Sequence, residues 1–212
     1  MVVLAAPALA GVSMMDLGTT APPSLMGGYT LEGFNDLAAL GDWVTSVAPP
    51  SGATAVGDLE FDTSMEHWRV GSGWDTWSHA YTGDVYWFDE MVDGNMLTLT
   101  LPVGTMAFRF YLEPDYFGTA SFAVMAGGEI LGIDVEGRGG ARGVGIYSDD
   151  PLDPLTSIVI EKMSVDFSNG FGIGEFAIDG TSIIPEGSGV AWMLGGLVAG
   201  AMALRRRAGV GR

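Results

Sequence analysis

An all-β fold, an antiparallel β-sandwich or barrel followed by one apolar transmembrane-type helix at the C-terminus, is what the sequence predicts. Three observations carry this. From Met96 onward, apolar and polar residues alternate with a period of two. Turn-forming Gly, Pro, Asn and Asp punctuate that alternation. Glycine makes up 33 of 212 residues, about twice its usual share, which favours turn-rich β structure over helices.

Taken in chain order, residues 2–10 (VVLAAPALA) are apolar and end in Ala8-Leu9-Ala10, a small-x-small cleavage signal ahead of Gly11. Residues 1–10 therefore read as part of an export signal. The stretch lacks a basic leader, and the true start is expected upstream. Residues 11–29 are rich in Met, Pro, Ser, Thr and Gly and are expected to be loose. Residues 30–180 are expected to form the β-sandwich domain, with a short helix around Asn35 to Leu40. Leu97, Leu99 and Leu101 alternate with Thr98 and Thr100; Met106, Phe108, Phe110 and Leu112 alternate with Thr105, Ala107, Arg109 and Tyr111. Residues 119–126, 129–135, 143–147, 157–161 and 173–178 continue the series. Such strands have one buried face and one wet face.

Charge narrows the partners. The chain holds 26 Asp+Glu against 9 Lys+Arg, a formal net charge of -17. All 26 acids lie at or before Glu186, whereas Arg205, Arg206, Arg207 and Arg212 follow it. A body this acidic repels phosphate backbones and excludes nucleic acid as a partner. With no cysteine there is no disulfide framework, zinc-thiolate site or thiol nucleophile. Neither a phosphate-binding glycine loop nor a fixed-period repeat is present.

Residues 181–212 have a tripartite form. Ile184-Pro185-Glu186-Gly187 forms an extended link; residues 190–204 (VAWMLGGLVAGAMAL) carry no charge; Arg205-Arg206-Arg207 follows at once. A 15-residue helix spans roughly 22 Å, short of the ~30 Å hydrocarbon core. Trp192 and the arginines extend its reach by sitting in the interfaces, and the arginines hold that end in the cytoplasm. A buried core helix would have no reason to end in three arginines. This order of parts resembles the PEP-CTERM sorting signal of bacterial exported proteins. The resemblance implies an exosortase-type enzyme as partner, an inner-membrane-anchored precursor, and final placement at the cell surface or outside it. The usual Val-Pro-Glu-Pro motif is altered here at Ile184 and Gly187. The body is similar to a group of PEP-CTERM proteins through residues 73–86 (GWDTWSHAYTGDVY), 97–102, 107–114 (AFRFYLEP), 117–119 and 172–178 (GIGEFAI). That similarity implies a jelly-roll-like sandwich of no assigned activity and gives no catalytic residues.

Chemistry is concentrated in residues 67–90, which hold Trp68, Trp74, Trp77 and Trp87, four of six tryptophans, and both histidines, His67 and His79. Rigid aromatic faces stack on sugar rings, so Trp74, Trp77, Tyr81, Tyr86 and Trp87 are the candidate contacts for an extracellular polysaccharide. The competing expectation is that these aromatics are core; burial of both Trp74 and Trp77 would favour it. Trp74 and Trp77 share a face only if a turn separates them. His67 and His79, with Glu66, Asp75 and Asp84, lack a third strong ligand at fixed spacing for a transition metal. Ser78 and His79, adjacent on a strand, would point to opposite faces and form no catalytic pair. Asp149, Asp150 and Asp153 gather oxygen in a loop, as do Asp89, Glu90 and Asp93, and suit Ca²⁺ without matching an EF-hand. The expectation is an exported, non-enzymatic surface or matrix protein that binds extracellular polysaccharide. The alternatives are a structural or adhesive matrix protein without a specific ligand, and a surface glycoside hydrolase, which would need two opposed carboxylates in a deep cleft.

Overall fold

The computed structural model describes residues 11–34, 39–164 and 169–182. The apolar leader, most of the helix expected around Asn35 to Leu40, and the whole tail from residue 183 onward lie outside the described residues. Among the described residues no helix is long and apolar enough to cross a membrane.

The described chain is mostly antiparallel β-sheet. Its strands are β1 (Val12–Gly18), β2 (Leu25–Met26), β3 (Tyr29–Gly33), β4 (Trp43–Val47), β5 (Leu59–Val70), β6 (Gly73–Trp74) and β7 (Asp84–Asp89). After the single helical turn α1 (Glu90–Asp93) come β8 (Met96–Thr100), β9 (Ala107–Pro114), β10 (Thr119–Ala126), β11 (Glu129–Glu136), β12 (Arg142–Ser148), β13 (Ser157–Lys162) and β14 (Gly170–Ser182). Hydrogen bonding runs in the order β1-β12-β9-β14-β7-β5-β8-β13-β10-β11, so one continuous sheet contains them all. The sheet curls until β1 touches β11, which makes it nearly closed and barrel-like. At this seam Val12 packs over Gly127, and Arg142 bridges from β12 to the Asp134 carbonyl on β11 at 2.9 Å.

Alternation builds the interior. Phe108, Phe110 and Leu112 of β9, Ile173 and Ile178 of β14, Tyr86 and Phe88 of β7, and Leu97 and Leu99 of β8 all point inward into one core. Phe34, Phe61, Tyr86, Phe108 and Phe176 meet there with ring centroids 5.4 to 6.3 Å apart, spacings at which aromatic pairs add to simple burial.

Residues 11–28, expected to be loose, are not. They supply β1 and β2, and β1 pairs with β12 from Val12↔Ser148 to Gly18↔Gly143. Their weak alternation hid the strand, because β1 sits at the end of the sheet with most side chains only half-buried. Asp16 fastens β1 through the guanidinium of Arg142, which holds its carboxyl below the ordinary range.

The outward face is covered in two places. Over one, Met26, Tyr29 and Leu31 pack on Ala107 and Ala177. Over the other, residues 71–83 fold back across β7, β14 and β9. Both covers rest on outward positions with little or no side chain. Gly170, Gly172 and Gly174 alternate on β14, while Phe171 and Ile173 between them enter the core. The Trp74 ring lies where a Cβ on Gly172 would come, 2.9 Å away, and the Tyr111 ring lies 2.4 Å from a Cβ on Gly143.

A register shift on β14 between Gly174 and Ala177 adds one residue to the outward side. Glu175, at φ +53°, turns toward the aromatic cover, and Phe176 returns to the core. This is the geometry of a β-bulge, which re-aims one side chain.

Gly174 gives a test of the bare row. A Cβ there would sit 2.4 Å from the Asp84 carbonyl oxygen, a backbone atom that cannot swing away. Gly174→Ala is expected to lower stability by about 1–3 kcal/mol. Gly132→Ala, with nothing within 4 Å, is expected to change it by less than about 0.5 kcal/mol. Urea denaturation of the two variants measures the difference.

Candidate functional site

Residues 71–83 owe their path to backbone turns. Gly71 and Gly73 take φ of +81° and +99°, conformations glycine adopts without strain. They loop the chain back on itself so that β6 runs parallel beside the end of β5, pairing Arg69↔Gly73 and Val70↔Trp74. The segment then lies over the outward residues Trp68, Val85 and Tyr111 and forms a second apolar cluster with them. Trp74 and Trp77 meet edge to face at 6.4 Å, and Tyr81 lies 6.0 Å from Trp77. The turn that would align Trp74 with Trp77 is therefore present.

Both tryptophans are buried, at 9% and 7% exposure, so the structure favours the core role for them. Each indole N–H has a carboxylate. Trp74 Nε1 donates to Glu113 Oε2 at 3.2 Å, and Trp77 Nε1 donates to Glu175 Oε2 at 3.2 Å. Tyr81 is half-buried, and its hydroxyl donates to the Asp84 carbonyl at 3.2 Å; burial raises its pKa. Burial also pushes Tyr111 up to about 12. Tyr86, grouped with the candidate contacts by sequence, faces the opposite way. It is fully buried and stacked on His67 and Phe176. Trp87 is half-buried, with its N–H donated to Asp115 Oδ2 at 3.2 Å; its ring meets Trp43 edge-on at 6.3 Å. Trp43 is 54% exposed.

The two histidines occupy separate networks. His67 is buried, with Nε2 3.2 Å from Asp84 Oδ1, and Asp84 also accepts from Arg69 at 2.6 Å. His79 Nε2 lies 2.9 Å from Glu175 Oε1. Its Nδ1 is 2.8 Å from Ser78 Oγ. Adjacent Ser and His were expected to point apart on a strand. The chain is not a strand there: His79 and Ala80 have φ of +43° and +61°, a strained turn that folds the imidazole back onto its neighbour. Ser78 is buried at 3% exposure, so the contact holds the turn in place.

The acidic loops are also engaged by the fold. Asp149 accepts from Gly11 N, and Asp150 Oδ1 accepts from Leu152 N at 2.9 Å. The carbonyls of Asp150 and Asp153 accept from Ser148 Oγ at 3.1 and 2.7 Å. Asp89 caps α1 through Met91 N, and Glu90 pairs with Lys162 at 2.6 Å. Among the described residues no three His, Asp or Glu side chains are grouped to hold a metal ion. Asp149, Asp150 and Asp153, a Ca²⁺ candidate by sequence, thus shape a turn. The sorting residues Ile184, Pro185, Glu186, Gly187, Arg205, Arg206 and Arg207 lie outside the described residues.

One open cleft borders the aromatic cover. It holds about 190 Å³ and is lined by Trp74, Asp75, Thr76, Glu113, Asp115, Tyr116, Phe117 and Arg138, with Gly73 and Pro114. Its walls are the end of β9, the β9–β10 turn, the β11–β12 turn and the start of the fold-back segment. Of the five aromatic residues singled out by sequence, Trp74 alone lines it. Glu113 points outward from β9 and is 1% exposed because Trp74 and Thr76 lie over it. Its Oε1 accepts from Thr76 Oγ1 at 3.1 Å and from Gly139 N. Burial nevertheless raises its pKa. Burial raises Asp115 as well, although Trp87 and Asn169 N donate to it. Glu113 and Asp115 stand two apart on one face of one chain segment. Both carboxylates already accept hydrogen bonds from within the fold.

Tyr116, Phe117 and Arg138 were missed by sequence because they sit in two turns remote from the aromatic run. The legible signal was a Tyr-Phe pair in a turn, together with one of few arginines in an acidic body. Against known proteins, the chain matches no family model and no curated sequence.

Glu113 yields a prediction with a definite sign. A carboxyl whose pKa is raised by folding favours the protonated form in the native state. Its contribution to stability is therefore largest below its ordinary value of 4.5 and falls as pH rises toward the raised folded value. Glu113→Gln cannot titrate, and its amide NH₂ cannot accept from the Trp74 N–H. The variant should be less stable by about 1–3 kcal/mol, with the gap to wild type narrowing as pH rises from 4 to 7. Urea denaturation across that range measures both effects.

Proposed function

We propose that this chain is an exported surface or matrix protein, handed to its destination by an exosortase-type enzyme that reads residues 184–207, and that its body binds extracellular polysaccharide without catalysing a reaction. The observation that carries the reading is the tail: an Ile-Pro-Glu-Gly link, a charge-free fifteen-residue stretch and three arginines in immediate succession. The last strand of the body, β14, ends at Ser182, two residues before that link. Cutting at the link would spare every described strand. Membrane anchoring of the precursor through residues 190–204 belongs to the same proposal, as does an export signal within residues 1–10.

The body suits an extracytoplasmic role. It has no cysteine to oxidise, an acidic surface that resists association, and an aromatic cover whose indole N–H groups are paired internally. We read the curled sheet as a jelly-roll-like sandwich, because chain neighbours such as β8 and β9, β9 and β10, or β12 and β13 connect across it rather than by hairpins alone. Burial of Trp74 and Trp77 supports a second reading, a structural or adhesive matrix protein with no specific ligand. The two readings differ only in whether the open cleft is used.

Sorting has its own test. Intact mass of the mature protein from its native host should lack both the apolar leader and residues beyond the 184–187 link. Deleting residues 190–212 should abolish surface retention. Uncut full-length protein dissolved in the cytosol would falsify the sorting proposal.

A further inference from the structure

We infer that the cleft between Trp74 and Arg138 is a binding site for one neutral pyranose unit, with the ring stacked on Phe117 and its hydroxyls held by Asp75, Asp115 and Arg138. The inference rests on the polysaccharide reading above and moves the contact away from the tryptophans the sequence singled out.

Size comes first. About 190 Å³ accommodates a single sugar ring and excludes a chain buried end to end, so the ligand would enter as a terminal or exposed unit.

The second observation is Phe117. It is 67% exposed at the tip of the β9–β10 turn, a position where nothing in the fold requires an aromatic ring. The Arg138 guanidinium lies 4.6 Å from its centroid. A cation over an aromatic face orders both side chains, so a flat platform stands ready at the mouth. Tyr116 is set beside it, its ring lying against Gly118, where a Cβ would clash.

The third is Arg138 itself. The described residues include five basic side chains. Arg69, Arg142 and Lys162 pair with carboxylates, and Arg109 donates to the Pro23 carbonyl. Arg138 has the Phe117 ring. Its backbone is held at φ +76°, an uncommon conformation for a side chain of this size. Its guanidinium, a donor only, thus lines a cleft shared with the carboxylate acceptors Asp75, Glu113 and Asp115 and the hydroxyls of Thr76 and Tyr116. A polyol, which donates and accepts at each hydroxyl, matches that mixture.

Charge selects the neutral ring. Asp75, Glu113 and Asp115 outnumber Arg138 in the cleft, and the whole chain carries -17. A uronate or sulfated sugar would meet repulsion that a single guanidinium does not offset.

The experiment is a titration of methyl hexopyranosides, neutral and uronic, into the purified full-length protein in detergent, followed by calorimetry and by the NMR signals of Phe117 and Arg138. Saturable millimolar binding of a neutral glycoside is expected. It should weaken about tenfold in Phe117→Ala, the equivalent of ~1.4 kcal/mol, and similarly in Arg138→Ala. Both residues are exposed, so unchanged melting temperatures should accompany the loss. Trp43→Ala, at an exposed aromatic outside the cleft, should bind as wild type does. No saturable binding by any neutral glycoside overturns the inference, as does binding confined to the uronide or binding unaffected by both cleft variants. Retention of the protein on host exopolysaccharide that Phe117→Ala and Arg138→Ala leave unchanged would place binding elsewhere on the body and overturn this site alone, so its failure and failure of the polysaccharide reading are separable.

Discussion

Everything distinctive in this protein depends on an absence of side chains. On β14, Gly170, Gly172 and Gly174 present bare backbone to the outside, and Gly143 and Gly145 do the same on β12. Ordinary β-strands bury one face and wet the other. Here the wet face is shaved so that large side chains can approach the main chain closely. Trp74 covers Gly172, Tyr111 covers Gly143 and Met26 covers Gly145. Glycine in a strand costs conformational entropy; burial of large aromatic surfaces offsets it. The result is a curled sheet with apolar packing on both sides of its central strands.

Such packing creates a polar problem that the fold solves locally. Indole N–H groups drawn out of water need acceptors. Glu113 and Glu175 supply them, one by pointing outward from β9 and the other through the bulge on β14. Each carboxylate is held by the donors it serves. The same logic explains the turn at His79 and Ala80. Positive φ at two non-glycine residues is unfavourable, but it brings His79 between Ser78 and Glu175 and closes the end of the aromatic cover. The cleft is what remains uncovered, at the rim where the fold-back segment meets the β9–β10 and β11–β12 turns.

Period-two alternation made β8 to β14 legible, down to both ends of β10, because those strands have one apolar and one polar or glycine face. It missed β5 and β7. In His67-Trp68-Arg69 and Asp84-Val85-Tyr86-Trp87 both faces are apolar or aromatic, so no alternation shows. Residues 12–18 were read as loose because a strand at the end of the sheet is only half-buried. For the site, the aromatic density of residues 67–90 marked the segment that folds back over the sheet, where Trp74 and Trp77 are buried. A run of tryptophans looks the same in sequence whether it covers a glycine row or faces water. Gly-Phe-Gly-Ile-Gly at residues 170–174 was the distinguishing signal, a hundred residues away. Ser78 and His79 could not be placed beside each other without knowing that the chain turns at His79.

Residues 71–83 form a permanent second layer over the glycine row. Hydrogen exchange of the indole N–H protons, followed by NMR, addresses it most directly. Trp74 and Trp77, donating to Glu113 and Glu175 beneath the cover, should exchange far more slowly than Trp43, whose ring is open to solvent. Exchange of all three at a common, unprotected rate would show that the layer lifts freely, and the architecture described would be wrong at its centre.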